Sequence, residues 1–459
     1  MEEKGKKLGL WNLVGMGVGM TIGTGIFVMM GFGIAQTGRS IPLVMICSAL
    51  IMLLSNWAMV AMSTMFVFKG GDYAMKTLLF NPLMTGVNAW FTVINSFGYT
   101  SLALAFTSYL CILFPGLTPY TKLVTLIVII ITFVITMFGS RTLTLVENGI
   151  TVLLMVALFL FVVVGIFHVD FGNYFDPAYD GGLFRGGFSG FVGAISTMAF
   201  VCMGGTAPLA FAAVTKKPKR TVPLSILLVT ITTAAIYALM AFVAGGVLPY
   251  DQIAGANLSV TAEAIFSKPL YLFFVVGGGL CAIASSMLGT LGYIRYPMIQ
   301  VAGEGWLPSI FKRQDKRGYP YVTYALYFIV AVIPLAMDMD IDSVVSLVMI
   351  PMMLIQGYLN IASLTLPKKY PDQWKHRSIR IPIALYTACG ILGVVASLAI
   401  AYILFKNMAP NEMIFAVVLV AVLFALSFIR LKQGAVKPEH LEEQRKTIIT
   451  EALAENNDY

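Results

Sequence analysis

Hydrophobic residues fill long, uninterrupted blocks of this 459-residue chain, and short polar stretches separate the blocks. About 12 blocks can be counted, each near the roughly 20 residues with which an α-helix crosses about 30 Å of hydrocarbon. The pattern therefore predicts an all-α polytopic membrane protein with about 12 transmembrane helices. We place these helices at roughly 10–37, 41–66, 83–113, 121–138, 145–167, 190–215, 223–248, 270–294, 322–337, 343–366, 383–405 and 413–429.

The composition agrees with this pattern and narrows the class of protein. Charged residues make up only 11% of the chain, and hydrophobic residues make up 58%. A soluble domain carries about 25% charged residues, and a soluble core of this length has no room for so much apolar surface. The composition excludes a soluble enzyme, a nucleic-acid binder and a disordered scaffold.

The net charge of +8 is explained by the topology of the protein in the membrane and does not indicate a polyanionic partner. If the N-terminus is cytoplasmic, only five of the 30 Lys and Arg residues fall in outside loops: Arg39, Lys122, Arg185, Lys268 and Lys406. This bias follows the positive-inside rule. We therefore expect a multi-pass protein of the plasma membrane with both termini in the cytoplasm. The first block is too long for a cleavable signal peptide.

The five cysteines lie inside predicted helices, so no disulfide framework is expected. The pattern also offers no evident point of attachment for a partner subunit, which favours a self-sufficient bacterial permease. Residues 431–459 form a predicted cytoplasmic tail, whose amphipathic helix would lie on the membrane surface or dock onto a partner.

Glycine clusters interrupt two of the blocks near their middles. Gly23-Thr24-Gly25 lies in the first block, and Gly204-Gly205-Thr206 lies in the sixth. Single glycines in membrane helices often serve close packing, and Gly15, Gly19 and Gly23 have that spacing. Paired interruptions at corresponding places in two five-helix halves instead indicate an inverted-repeat transporter with its substrate site at the breaks.

A broken helix supplies chemistry without any charged side chain. The freed N–H groups carry positive partial charge, and the freed carbonyls carry negative partial charge. A zwitterionic α-amino acid matches this arrangement. Its carboxylate would accept from the N–H groups of Thr24 and Gly25 and from the Thr24 hydroxyl. Its ammonium group would donate to carbonyls near Thr21, Ile22, Phe200 and Met203.

The positions of charged residues relative to the predicted transmembrane helices favour a neutral substrate. Only Glu147 and Arg295 come near the membrane-spanning segments, and both are expected at cytoplasmic helix ends. Ionisable groups at membrane depth are costly and usually functional, so their predicted absence argues against cationic or acidic side chains. A polyamine or other amine permease of the same fold is the alternative, although such a permease is expected to need intramembrane carboxylates.

Several further side chains have two interpretations. Phe200 is either an aromatic lid over the substrate or core packing, and Tyr237 is either a ligand contact or an interhelical hydrogen bond. Ser285 and Ser286 are either a Na⁺ site or packing. The full predicted substrate site is Thr21, Ile22, Gly23, Thr24, Gly25, Phe200, Met203, Gly204, Gly205, Thr206 and Tyr237, with Ser285 and Ser286 as the candidate ion site.

Five motifs then resemble the amino acid–polyamine–organocation (APC) transporter superfamily over roughly residues 8–430. In chain order they are Ile22-Gly23-Thr24-Gly25-Ile26-Phe27, Gly70-Gly71-Asp72-Tyr73, Lys217 through Pro223, Glu304-Gly305-Trp306-Leu307-Pro308 with Arg317-Gly318-Tyr319-Pro320, and Tyr370-Pro371-Asp372 with Arg377 through Pro382. One motif alone is weak, whereas five in order are specific.

The resemblance implies a five-plus-five inverted repeat (LeuT-like) with discontinuous helices one and six, working by alternating access. Residues 1–430 would form the transporter domain, with repeats at about 9–167 and 188–366 and added helices at 383–405 and 413–429. It also implies carboxylate binding at Thr24 and Gly25 and an aromatic gate at Phe200. Thr206 occupies the place of a glutamate found in some arginine exchangers, which weakens an arginine/agmatine assignment.

Coupling is left open by the resemblance. Many relatives have a lysine midway along helix five, whereas this chain has Leu154 at about that place. In place of this lysine, two modes of coupling are considered: sodium bound at Ser285 and Ser286, or obligatory exchange of amino acids. Coupling to H⁺ is left open. No cofactor and no resident metal is expected.

Two other classes are less consistent with the sequence. A channel can also use glycine-rich interrupted helices, but no short repeated filter loop is present. An intramembrane enzyme would need a catalytic constellation, whereas His168, His376 and His440 lie in loops or in the tail. The sequence therefore predicts a secondary transporter, a permease or exchanger of small or neutral L-amino acids, and not an enzyme.

Overall fold

A computed structural model describes residues 7–68, 71–136, 140–175, 182–315 and 319–454. These residues form helices joined by short connections. The α-helices are α1 (Leu10–Thr21), α2 (Thr24–Thr37), α3 (Ile41–Ser55), α4 (Trp57–Ser63), α5 (Gly71–Leu79), α6 (Pro82–Ile94), α7 (Ser96–Leu113), α8 (Thr121–Thr136), α9 (Ser140–Ile166), α10 (Gly172–Phe175), α11 (Gly187–Ala199), α12 (Pro218–Gly246), α13 (Tyr250–Ile253), α14 (Leu258–Ile265), α15 (Lys268–Phe273), α16 (Cys281–Gly303), α17 (Tyr321–Ala336), α18 (Ile341–Ser363), α19 (Leu366–Lys369), α20 (Pro371–Lys375), α21 (Ile383–Asn407), α22 (Pro410–Lys432) and α23 (Pro438–Ala454).

Nine helical stretches of the described chain are long and apolar enough to cross a membrane. Two shorter apolar helices, Val152–Ile166 and Tyr321–Ala336, accompany them. These stretches support a multi-pass membrane protein, while the count of 12 spans and the inverted repeat stay predictions. The nine are Gly25–Ser55, Pro82–Leu113, Pro115–Ile135, Gly187–Val214, Pro218–Gly246, Lys268–Gly303, Ile341–Ser363, Ile383–Asn407 and Pro410–Lys432.

The first predicted helix consists of two helices, as the glycine cluster indicated. The α-helix ends at Thr21 and resumes at Thr24, and Ile22 and Gly23 between them are not helical. The second predicted helix is also divided, because a turn at Asn56 separates α3 from α4. Asn360 of α18 accepts from the Ala58 N–H at 3.0 Å and donates to the Ser55 carbonyl at 2.7 Å, which satisfies backbone groups that the turn leaves free.

The sixth predicted helix differs from expectation. No unwound gap occurs at Gly204-Gly205-Thr206; instead, α11 continues as a 3₁₀ helix over Phe200–Val214. Such runs rarely exceed three or four residues. Pro208 lies inside it and has no N–H to donate, and the glycines favour α-helix poorly. The interruption therefore takes the form of a tighter winding rather than a break.

A second irregular stretch lies at the start of helix eight. Between α15 and α16 the chain forms a π-helix over Phe274–Leu280. A Cβ added at Gly279 would lie 2.3 Å from the Tyr109 ring of α7, so glycine permits that ring to pack against the π-helix. The Tyr109 hydroxyl donates to the Phe27 carbonyl of α2 at 3.0 Å. Helices one, three and eight thus meet at one point.

Both ends of the described chain lie on one face, which we call the termini face. The Leu8 N–H donates to the Val214 carbonyl, and the Lys216 N–H donates to the Leu8 carbonyl, each at 2.9 Å. The C-terminal α23 packs on α5, where the Arg445 Nε donates to the Thr77 carbonyl at 3.0 Å. We call the opposite face the Arg39 face, after the buried arginine that follows α2.

Candidate substrate site

The gap in helix one is bordered closely by helix six and by α12. A Cβ at Gly204 would lie 2.5 Å from the Thr21 Cα, and one at Gly25 would lie 3.1 Å from the Val201 Cα. The absence of side chains at these glycines therefore permits the two backbones to touch. The gap and the 3₁₀ helix are therefore in direct contact.

Tyr237 approaches the gap from α12, and its side chain is fully buried. Its hydroxyl lies 2.8 Å from the carbonyl of Thr21 and 3.4 Å from that of Val201. The Thr21 hydroxyl donates to the Gly17 carbonyl at 2.7 Å. One freed carbonyl at the gap is thus already occupied by an interhelical hydrogen bond, which was one of the two interpretations of Tyr237.

Ser286 approaches the same gap from α16. A Cβ at Gly23 would lie 2.0 Å from the Ser286 Oγ, so the serine hydroxyl contacts the backbone where helix one is interrupted. Together with Ser285, it lines a cavity on the termini side of the gap. The contact of Ser286 with Gly23 is consistent with both interpretations of this serine, packing and Na⁺ binding.

The cavity has a volume of about 300 Å³ and lies among helices one, two, three, six, eight and ten. Gly19 and Met20 of α1 line it next to the gap. Of the predicted site, Met203, Gly204, Thr206, Ser285 and Ser286 line the cavity. The predicted residues of the described chain that are not part of its lining are Thr21, Ile22, Gly23, Gly25, Phe200, Gly205 and Tyr237. The side chain of Thr24 lies outside the described part of the chain, as do Gly70, Arg317 and Gly318.

Phe200 is partly buried and packs against the hydrophobic core. It is the first residue of the 3₁₀ helix, and the cavity lining begins beyond it, at Met203. The ring is not part of the cavity lining, and the aromatic lid stays a prediction.

An ion pair that the sequence did not assign to the site lies in the cavity wall. Asp72 and Lys76 of α5 both line the cavity, with Lys76 Nζ 2.7 Å from Asp72 Oδ2. The lysine side chain is only 5% exposed. The sequence interpretation placed this segment in a cytoplasmic loop between predicted helices two and three. The i, i+4 spacing of Asp72 and Lys76 was the available signal, but only tertiary packing brings α5 against the 3₁₀ helix.

Two amides of the cavity wall were also missed. Gln356 of α18 is 1% exposed, and its Nε2 donates to the Asn56 Oδ1 at the turn in helix two. Asn56 lines the cavity as well. Isolated Asn and Gln residues in apolar blocks gave no sign of a shared location.

Two of the family motifs meet on the termini face. The Tyr73 hydroxyl donates to Glu304 Oε2 at 2.6 Å, and the Trp306 Nε1 donates to the same oxygen at 3.1 Å. Burial raises the pKa of the Glu304 carboxyl above its usual value. Because Tyr73 follows Asp72 directly, this contact holds the helix that carries the cavity's ion pair.

The Arg39 face is packed by backbone contacts. The Gly255 N–H donates to the Gly31 carbonyl at 2.8 Å, and a Cβ at Gly31 would lie 1.8 Å from the Ala256 oxygen. The Gln36 Nε2 donates to the Thr197 Oγ1 of α11 at 3.0 Å. Thus α2 is held to helix six and to the α13–α14 connection on this face.

Arg39 is 1% exposed and contributes to the same packing. Its guanidinium donates to the Leu248 carbonyl at 2.9 Å and to the Gly245 carbonyl. It also contacts the Asn173 Oδ1 at 3.4 Å. A residue predicted in an outside loop therefore ties the end of helix seven to the start of helix two.

An interrupted first helix, an irregular sixth helix and a cavity beside them are typical of secondary transporters, which bind their solutes at such interruptions. The amino acid permease family matches residues 8–428, nearly the whole chain, and the protein belongs to this family. The resemblance that the motifs indicated is thereby confirmed.

Individual relatives are distant but cover much of the chain. The branched-chain amino acid permease BcaP of Bacillus subtilis is 24% identical over 424 residues, which is 87% of each chain. An uncharacterised protein of Methanocaldococcus jannaschii is 27% identical over 330 residues, 68% of this chain and 72% of that protein. The vacuolar cationic amino acid transporter 2 of Arabidopsis thaliana is 22% identical over 381 residues, 79% of this chain and 60% of the plant protein.

Proposed function

We propose that this protein is a secondary active transporter of small or neutral L-amino acids, a permease or exchanger of the plasma membrane working by alternating access. The gap at Ile22 and Gly23 carries the proposal. The first N–H groups of α2 have no partner within the helix, and those of Thr24 and Gly25 would donate to the substrate carboxylate. The aliphatic substrate of the named Bacillus relative is consistent with this class.

The charge of the cavity wall supports a neutral substrate. Asp72 and Lys76 form a pair within the wall, so their charges compensate each other. A substrate with a net charge would need an unmatched group of opposite sign in such a poorly hydrated place. Thr206 adds a hydroxyl rather than a carboxylate to the lining.

Cationic amino acids are the second candidate class. The Arabidopsis relatives are named cationic amino acid transporters. In addition, Oδ1 of Asp72 is buried and has no hydrogen-bond partner among the described residues. That oxygen is a suitable acceptor for a cationic side chain.

Uptake into liposomes that contain the purified full-length protein tests the proposal. Radiolabelled L-leucine and L-arginine would be compared, with and without internal amino acid and with and without a sodium or proton gradient. We expect L-leucine uptake to exceed L-arginine uptake. Preference for L-arginine would replace the neutral class with the cationic class, and uptake of neither amino acid would reject amino acid transport.

The same assay distinguishes the coupling modes and tests the carboxylate site. Uptake that requires internal amino acid indicates exchange, whereas uptake driven by sodium assigns Ser285 and Ser286 to coupling. Thr24→Val removes a hydroxyl donor at similar volume and should lower the apparent affinity about ten-fold, since a hydrogen bond to a charged group contributes about 1.5–3 kcal/mol. Unchanged affinity in this variant would argue against the carboxylate site.

A further inference from the structure

Two oxygen atoms in the cavity wall have no hydrogen-bond donor among the described residues. They are Oδ1 of Asp72 and Oε1 of Gln356, and both atoms are buried. Buried polar atoms in native proteins nearly always have a partner, and each exception calls for an explanation. Both residues line the same cavity, so a ligand in that cavity can supply the missing donors.

The orientation of the Gln356 amide follows from its neighbours. The Asn56 Nδ2 donates to the Met52 carbonyl at 2.9 Å, which turns the Asn56 Oδ1 toward α18. That oxygen accepts from the Gln356 Nε2, which also contacts the Met59 sulfur at 2.9 Å. With Nε2 used in this way, Oε1 is the atom of Gln356 that is available to a ligand.

Only one of the two oxygens of the Asp72 carboxylate takes part in the ion pair. Lys76 Nζ lies 2.7 Å from Oδ2, and this leaves Oδ1 as an acceptor that shares the negative charge. A donor group placed between Oδ1 of Asp72 and Oε1 of Gln356 meets one charged and one neutral acceptor. A primary ammonium group has three N–H donors and a positive charge, which suits this combination.

We propose that these two oxygens form a second subsite, which binds the ammonium group of the amino acid on the termini side of the gap. This rests on the proposed function, because the ammonium group belongs to the transported amino acid. Gly19 and Met20 line the same cavity immediately before the gap. A substrate that moves between the gap and the termini face therefore passes this subsite.

Binding of a simple amine tests the subsite without reference to transport. The probe is 3-methylbutylamine, which has the ammonium group and side chain of leucine but no carboxylate, and 3-methylbutan-1-ol is its uncharged counterpart. Thermal stabilisation of the purified full-length protein by each compound gives its half-saturating concentration. We expect the amine to stabilise the protein at a concentration about ten-fold lower than the alcohol, since hydrogen bonds to charged groups are the stronger ones.

Two variants locate the binding. Gln356→Met removes the neutral acceptor, and Asp72→Asn removes the charged acceptor. Each should raise the half-saturating amine concentration about ten-fold, as expected for one lost hydrogen bond to a charged group. Gln373→Met is the control, because Gln373 is a buried glutamine outside the cavity, and amine binding should be unchanged. Equal stabilisation by amine and alcohol, or unchanged amine binding in a folded variant at either position, would overturn the subsite.

Transport from the two faces separates this subsite from the gap. In liposomes of known protein orientation, Gln356→Met should raise the half-saturating L-leucine concentration about ten-fold on the termini face and leave it within about two-fold on the Arg39 face. Equal loss on both faces would assign Gln356 to the gap and reject a separate subsite. If the wild-type protein binds the amine but carries no amino acid, the proposed function fails while the ammonium site stands.

Discussion

The two halves of helix one meet very different surroundings. Beyond the gap, α2 is held on the Arg39 face by the contact of Gly31 with the Gly255–Ala256 backbone and by the Gln36–Thr197 hydrogen bond. Before the gap, Gly19 and Met20 of α1 border the cavity. The gap at Ile22 and Gly23 interrupts the hydrogen-bond ladder between the halves, so one end of the helix is tightly packed while the other is bordered by space.

This difference describes a conformation that is packed on the Arg39 face and has its cavity toward the termini face. The proposed alternating access would require the opposite arrangement at another time. The small residues and single hydrogen bonds at the packed end are the contacts that would have to form and separate. Substitutions that affect one end only are therefore the strongest tests of the comparison.

The largest effect is expected from Gly31→Ala. Its Cβ would lie 1.8 Å from the Ala256 oxygen, and a backbone atom has little freedom to move aside. Overpacking of this kind costs about 1–3 kcal/mol, which corresponds to a roughly five- to 150-fold loss of the packed state. L-leucine exchange in liposomes should fall accordingly. Gly15→Ala is the control in the same predicted helix, because nothing lies within 4 Å of its Cβ; equal exchange by both variants would contradict the comparison.

A smaller loss should follow from Gly204→Ala, at the point where helices one and six touch. The new Cβ would lie 2.5 Å from the Thr21 Cα, so the two backbones must separate and the gap must change shape. We expect the apparent affinity for L-leucine to weaken about ten-fold, at the lower end of overpacking costs. At Gly205 the nearest atom is the Thr230 Oγ1, 3.3 Å away, and Gly205→Ala should behave nearly as wild type. Equal effects at both positions would mean that the contact with Thr21 is unimportant.

The smallest effect is expected from Gln36→Leu, which removes one hydrogen bond from the packed end. The lost bond to Thr197 spans 3.0 Å, and a single neutral hydrogen bond contributes about 1 kcal/mol. The balance should move about five-fold toward opening of the Arg39 face, and the half-saturating L-leucine concentration on that face should fall. Gln252→Leu, at an exposed glutamine of α13, is the matched control. No change in either variant would show that this hydrogen bond does not hold the face together.

Some of the site was predictable because it depends on neighbours in the chain. The interruption at Ile22 and Gly23 follows from a glycine cluster in an apolar block, since glycine and free backbone groups at that depth are tolerated only for packing or function. The matching cluster at Gly204 and Gly205 was recognised for the same reason. Its form was wrong, because Pro208 and the contact with Thr21 favour a tighter helix over an open gap.

Other parts of the site depend on contacts between residues far apart in the chain. Asp72 and Lys76 follow helix two, and Gln356 belongs to helix ten, yet they line one cavity with Ser286 of helix eight. Tyr237 reaches the Thr21 carbonyl across 216 positions of the chain. No local periodicity encodes such meetings, because they arise from how the helices pack.

Hydropathy, glycine placement and the order of the motifs were sufficient for the class of protein, the family and the location of the interruption in helix one. These properties are local, since each helix must satisfy its own backbone within the membrane whatever its neighbours are. The winding of helix six, the ion pair in the cavity wall and the packed Arg39 face required the folded chain. They result from backbone approaches and side-chain pairs between separate helices, and many different packings are compatible with the same apolar blocks.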